Sequence, residues 1–173
     1  MYHKDDAMIE IPSGRLNGFY WYENNPTLYA AEKAAMAKFF PRFSLNRLSD
    51  GRLYWLGTVE PKSLRPNAVW TLQVIYDHDH PNNNRWGGSI QIYSVDPDLD
   101  EMSNKLGGIP HTIRDGSTNR LYICTSRAED FKITRKSNYS AATALSWAVK
   151  WIAVFELWLA GDITTEQFSG HTF

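Results

Sequence analysis

One cysteine, Cys124, is all the thiol chemistry that 173 residues contain. A lone thiol excludes an intramolecular disulfide framework and a structural zinc site built from several thiolates. It leaves room for a nucleophile, because thiolate is the strongest one that ordinary side chains offer near neutral pH. The plainer alternative is a small buried hydrophobe in an apolar run. An excess of one charge is lacking too: 18 basic against 19 acidic side chains leave a net charge of −1. Neither nucleic acid nor an anionic membrane is therefore the expected partner. Repeats, low-complexity tracts and linkers are absent from the text, so one domain over 1–173 is expected, with 1–24 as an extension and 26–170 as the core. The polar start, Met1-Tyr2-His3-Lys4-Asp5-Asp6, is followed by no apolar h-region. No secretory signal is expected, and a reducing cytoplasmic setting fits the single thiol.

Long apolar runs are scarce as well. The one exception, residues 141–160, contains Lys150 and Glu156, and charges near a bilayer centre are costly. A helix apolar nearly all round is expected to be buried in protein instead. Aromatics, by contrast, are plentiful at 14%, with seven tryptophans. Trp147, Trp151 and Trp158 fall at spacings of four and seven on that helix, a stripe that reads as core. Trp70 and Trp86 are the alternative platforms for stacking a nucleotide-like ligand, against which the low net charge weighs.

Local chemistry orders the elements. A short strand is expected at 18–22. Asn25-Pro26 reads as an N-cap with Pro at the first helical position, opening a helix over 27–40 that Pro41 stops. Leu28, Ala31, Ala35 and Phe39 would share its buried face. Residues 42–48 and 53–59 alternate around the turn Ser49-Asp50-Gly51, and strands follow at 70–77 and 89–95. Residues 96–120 show no sustained periodicity, and long structureless stretches in compact domains are commonly functional. The last helix is expected over about 140–160 with Gly161 as its stop.

That stretch leads into the region with the most chemistry: Ile109-Pro110-His111, then Asp115-Gly116, then Leu121-Tyr122-Ile123-Cys124-Thr125. A second cluster, Asp77-His78-Asp79-His80-Pro81-Asn82, competes with it. In an extended segment His78 and His80 would face one side and could hold a metal. A solvated turn is the plainer reading, and no metal or other cofactor is assigned.

The order of helix, meander, long loop, cysteine and helix resembles the ubiquitin-conjugating (UBC) fold, an α+β class. Val59-Glu60-Pro61 resembles the end of that family's second strand, and Asp79-His80-Pro81 occupies the place of its Tyr-Pro element. Pro110-His111, Asp115-Gly116 and Tyr122-Ile123-Cys124 resemble its His-Pro-Asn, Gly and Ile-Cys segment. The tail, with Trp147, Trp151, Glu156, Trp158 and Gly161, is similar to bacterial members found with cyclic-oligonucleotide-based antiphage defence systems (CBASS). The literal His80-Pro81-Asn82 lies far upstream of the cysteine and is read as a decoy.

The resemblance implies a single UBC-like domain with an N-terminal helix, a four-stranded antiparallel meander, a cysteine-bearing loop and a long C-terminal helix. It implies that Cys124 takes the C-terminal glycine of a protein partner as a thioester. That partner would be the cyclic-oligonucleotide synthase (CD-NTase) of the same operon, primed by conjugation, with or without a separate activating enzyme. The eukaryotic pattern places an oxyanion-binding Asn about eight residues upstream, where this chain has Gly116. His111, Asn119 or a backbone N–H near Gly116 are the candidates to replace it. His111 can also act as general base, and Asp115 can accept a proton from an attacking amine or simply form a turn. Arg120 and Arg127 flank the thiol and can lower its pKa. The altered oxyanion segment keeps a non-catalytic UBC-fold binding module as the alternative.

Overall fold

The structure is a computed structural model and describes residues 19–61, 68–126, 139–170 and 173. Its first correction comes at once. The expected strand at 18–22 is, in its described part, a single helical turn, α1 (Trp21–Asn24), because Tyr20 O accepts from Glu23 N (3.0 Å) and Asn24 N (3.1 Å). Asn25 then caps α2 (Pro26–Phe39) by accepting from Leu28 N at 3.0 Å. The predicted buried stripe of α2 is also corrected. Glu32 and Met36 are the buried residues, while Ala31 and Phe39 are exposed.

β1 (Ser44–Arg47), β2 (Leu53–Val59), β3 (Trp70–Tyr76) and β4 (Ile90–Asp96) form the expected antiparallel meander. Among the described residues, however, the sheet has six strands rather than four. After β4 the chain makes α3 (Leu99–Leu106), then returns as the hairpin β5 (Thr112–Arg114) and β6 (Leu121–Ile123). β6 pairs with β4 through Ile92 and Ile123, giving the order β1-β2-β3-β4-β6-β5 with β5 at the edge. The span 96–120 is therefore largely organised. Asp98 starts α3 by accepting from Asp100 N and Glu101 N, and Gly107 ends it at φ 76°. That left-handed φ is where glycine carries no Cβ penalty.

α4 (Ala141–Ala160) lies between a Ser140 N-cap and Gly161 at φ 80°, as expected. It is long and apolar enough to cross a membrane by length and composition, yet Leu145, Ala148, Trp151, Ile152 and Phe155 are fully buried in the protein core. Trp70 meets Trp151 and Phe155 edge-on at 6.3 and 5.6 Å. Trp70 is thus a core residue of β3, not a surface platform, and its Nε1–H donates to the buried Glu156 Oε1 at 3.2 Å. Trp147 and Trp158 pack at the margins of the same cluster. Truncating a ring such as Trp151 would cost about 3–5 kcal/mol. A short α5 (Thr165–Ser169), opened by the Thr164–Gln167 capping box, lays Phe168 into this core.

Candidate functional site

The β5–β6 hairpin positions the thiol. Thr112 faces Ile123, Ile113 faces Tyr122 and Arg114 faces Leu121. Cys124 N–H donates to His111 O at 2.8 Å, which extends the ladder by one pair at the open end. Leu121 and Ile123 point into the main core, whereas Tyr122 joins Ile75 and Tyr93 in a small cluster on the opposite face. Side chains alternate along a strand, so Cys124 leaves the sheet on the Tyr122 face.

The thiol is 8% exposed. Its S–H donates to Ser126 O at 3.6 Å, and the same oxygen accepts from Gly87 N–H at 3.2 Å. The turn carrying Gly87, between β3 and β4, therefore lies against the cysteine segment. Gly87 has φ +76°, and a Cβ there would stand 3.1 Å from the Tyr122 ring, so both conformation and space call for glycine. Arg85 holds the turn by donating to Asp77, Asp79 and Gly88 O. Burial, and next the charge of an ionised Cys124, push the Tyr122 phenol up. Burial also raises Tyr139, with the Cys124 charge adding to it.

His111 is the sequence candidate that the fold brings beside Cys124, through the shared backbone bond. Its φ is 54°, and its Nε2 meets Phe168 O at 3.0 Å with Phe168 and Phe173 packed around the ring. A carbonyl only accepts, so Nε2 carries the proton and Nδ1 holds the lone pair of the neutral ring. Asp115, Gly116 and Asn119 occupy the hairpin turn at the other end, roughly 10 Å or more along the ladder from Cys124. Asp115 accepts from Ser117 N, Ser117 Oγ, Thr118 Oγ1 and Tyr93 Oη, which lowers its pKa to about 2 against the opposing effect of burial. Asn119 is exposed at φ 58°, with its carbonyl accepting from Arg114. Arg120 lies over the Tyr93 ring at 5.2 Å, and Arg127 lies outside the described residues.

The competing cluster is assembled differently. His80 is 3% exposed, held by Trp21 and Tyr76 rings, with Nδ1 bonded to Ser89 Oγ at 2.8 Å. Burial lowers its pKa to about 4. His78 is exposed and stacks towards Tyr20, so the two imidazoles do not share a side. Asp77 and Asp79 are paired with Arg85. Among the described residues, no group of three or more His, Cys, Asp or Glu side chains converges on a metal position. Sequence reasoning missed Ser126 O and Gly87. The adjacent glycines at 87 and 88 were the readable signal for a turn that closes against another segment.

One thiol at the open end of a hairpin, in an antiparallel sheet backed by a buried helix, defines an α+β protein with a single candidate cysteine nucleophile. Residues 32–167 match the family model described as type II CBASS E2 protein, and the chain belongs to that family. No curated protein and no solved structure matches the chain significantly.

Proposed function

We propose that this protein is a UBC-fold, cysteine-dependent transferase acting in the cytoplasm, with Cys124 as its nucleophile. Family membership supports an E2-like role with CBASS components. The observation that carries the assignment is the position of Cys124: it follows β6 inside the family-matched span, ladder-bonded to His111. Deprotonated Sγ attacks the acyl carbon of an activated C-terminal glycine, and the group activating that glycine departs as the thioester forms. His111, the ladder partner of Cys124, is the candidate base, with Asp115 and Asn119 shaping the hairpin turn. The partner is the C-terminus of the cyclic-oligonucleotide synthase, conjugated and thereby primed, whether or not a separate enzyme activates it. Intact-mass analysis of the protein purified with its neighbouring gene products tests this. A hydroxylamine-sensitive adduct on Cys124 is expected, and its absence would overturn the proposal.

The second reading, a non-catalytic binding module, is favoured by one observation, the burial of the thiol with its S–H on Ser126 O. Alkylation separates the two. Iodoacetamide labelling of the native protein supports catalysis, whereas labelling only after unfolding supports the module.

A further inference from the structure

Among the described residues the sheet ends in β5, and the register fixes which of its backbone groups are used. Cys124 N–H bonds to His111 O and Asp115 N–H bonds to Arg120 O at 2.9 Å, so residues 111, 113 and 115 turn their polar groups towards β6. In an antiparallel pair the alternate residues turn theirs away. Thr112 and Arg114 accordingly present N–H and C=O groups to the outside of the sheet. Natural sheets guard such edges with proline, bulges or outward charges. β5 has no proline and no bulge, and the Arg114 guanidinium is drawn back onto Asp100 and Asn119 O. The open edge begins one residue from His111, which is the ladder partner of Cys124.

We propose that β5 is the docking edge for the donor: the extended C-terminal tail of the partner adds as a strand antiparallel to β5, hydrogen-bonded to Thr112 and Arg114, and so delivers its last residue to Cys124. This rests on the reading that Cys124 accepts a C-terminal glycine. The chemistry of the edge selects the occupant, since a row of main-chain donors and acceptors is satisfied by an extended backbone and by no compact surface. Direction follows from position. Only a tail antiparallel to β5 ends on the His111 side, where the thiol lies. From the added strand to β6 is two strand spacings, roughly 10 Å, which about three extended residues cross. Small terminal residues, glycine above all, suit the last step beside the buried thiol. The recognition is main-chain in character, so it tolerates varied side chains in the tail.

Amide hydrogen exchange on the full chain tests this, with a twelve-residue peptide matching the glycine-ended tail of the adjacent synthase as probe. In the free protein the Thr112 and Arg114 amides should exchange quickly, and those of Ile113 and Cys124 slowly. Saturating peptide should slow exchange at Thr112 and Arg114 at least tenfold and leave Ile113 unchanged. Arg114→Pro removes an outward N–H and should weaken the peptide about fivefold to tenfold. Arg114→Ala keeps that N–H, loses the same salt bridge, and should bind within twofold of wild type. If a Cys124 adduct forms while Thr112 and Arg114 stay unprotected, the docking edge is wrong and the transferase reading stands. Protection that appears with rising protein concentration alone assigns the edge to a second copy and overturns the proposal. Equal losses in Arg114→Ala and Arg114→Pro do the same, by placing the effect in the side chain. Protection without any adduct leaves the docking edge standing and removes the chemistry.

Discussion

Two histidine-containing segments face each other across the thiol, and they are built for opposite tasks. The 77–89 turn carries the literal His80-Pro81-Asn82 and sinks its histidine into the core. The 109–126 segment carries Pro110-His111 and pairs that histidine's carbonyl with the Cys124 amide, the ring itself packing on Phe168 and Phe173. In the first, Glu32 accepts from Tyr76 Oη (2.7 Å) and Ala141 N (2.9 Å), while Tyr76 Oη accepts from Trp55 Nε1–H at 3.0 Å. His80 Nε2 stands 3.9 Å from Glu32 Oε1, and its Nδ1 reaches Ser89, which donates to Asn83. This network ties α2, β3, the turn and the first residue of α4 together. In the second segment the side-chain bonds gather at the exposed hairpin turn around Asp115, while beside the thiol stand ladder amides, the His111 Nε2–Phe168 O bond and the Ser126 carbonyl. A tripeptide's spelling is therefore a poorer guide than its place in the ladder.

If the comparison holds, substitutions in the two segments separate cleanly into stability and chemistry. The largest effect falls on Cys124→Ala, which should abolish adduct formation while leaving the denaturation midpoint nearly unchanged. Its partial reactivity would collapse the distinction. His80→Ala should do the reverse: removing a caged ring and the Ser89 bond costs about 2–4 kcal/mol in urea unfolding. Adduct yield at a temperature where the variant is folded should remain at wild-type level.

Acid sharpens the same contrast. His80 is lowered from 6.5 to about 4, so between those pH values the unfolded chain binds the proton that the folded one refuses. Stability should fall as pH drops from 6.5 to 4, by at most about 3 kcal/mol from this residue. Glu32 acts with opposite sign. Burial raises it, so its contribution is lost as pH rises through its elevated pKa, which partly offsets the histidine. Asp115, lowered to about 2, loses its contribution only below the unperturbed carboxylate range. Urea titrations across pH should show the upper window vanish in His80→Gln and persist in Cys124→Ala. The smallest effect is expected for Asp115→Asn, about 1 kcal/mol for a weakened turn. Its adduct rate should fall less than threefold; a loss above a hundredfold would make Asp115 a proton acceptor instead.

Much of this architecture was readable. Asn25-Pro26, Ser140 and Gly161 mark helix ends through local chemistry alone, and the meander follows from alternation around Asp50-Gly51. The Cys124 position followed from the order of elements. What escaped reading depends on distant partners or short lengths. Glu32 sits on the buried face of α2 only because Tyr76 and the Ala141 amide satisfy it, and no helical periodicity contains that information. Residues 18–22 look β-like by aromatic content, but capture of two amides by Tyr20 O wins locally. α3 and α5 were too short for periodicity to register, and the structure shows them capped by Asp98 and by the Thr164–Gln167 box. β5 becomes a strand by pairing with β6, a tertiary event.

The most direct test is the mass of Cys124→Ser purified beside its operon partner. An ester-linked adduct should accumulate on the substituted residue, resistant to thiols and released by hydroxylamine, while Cys124→Ala carries none and loses phage protection. No adduct in either wild type or Cys124→Ser, with Cys124→Ala fully protective, would contradict the account.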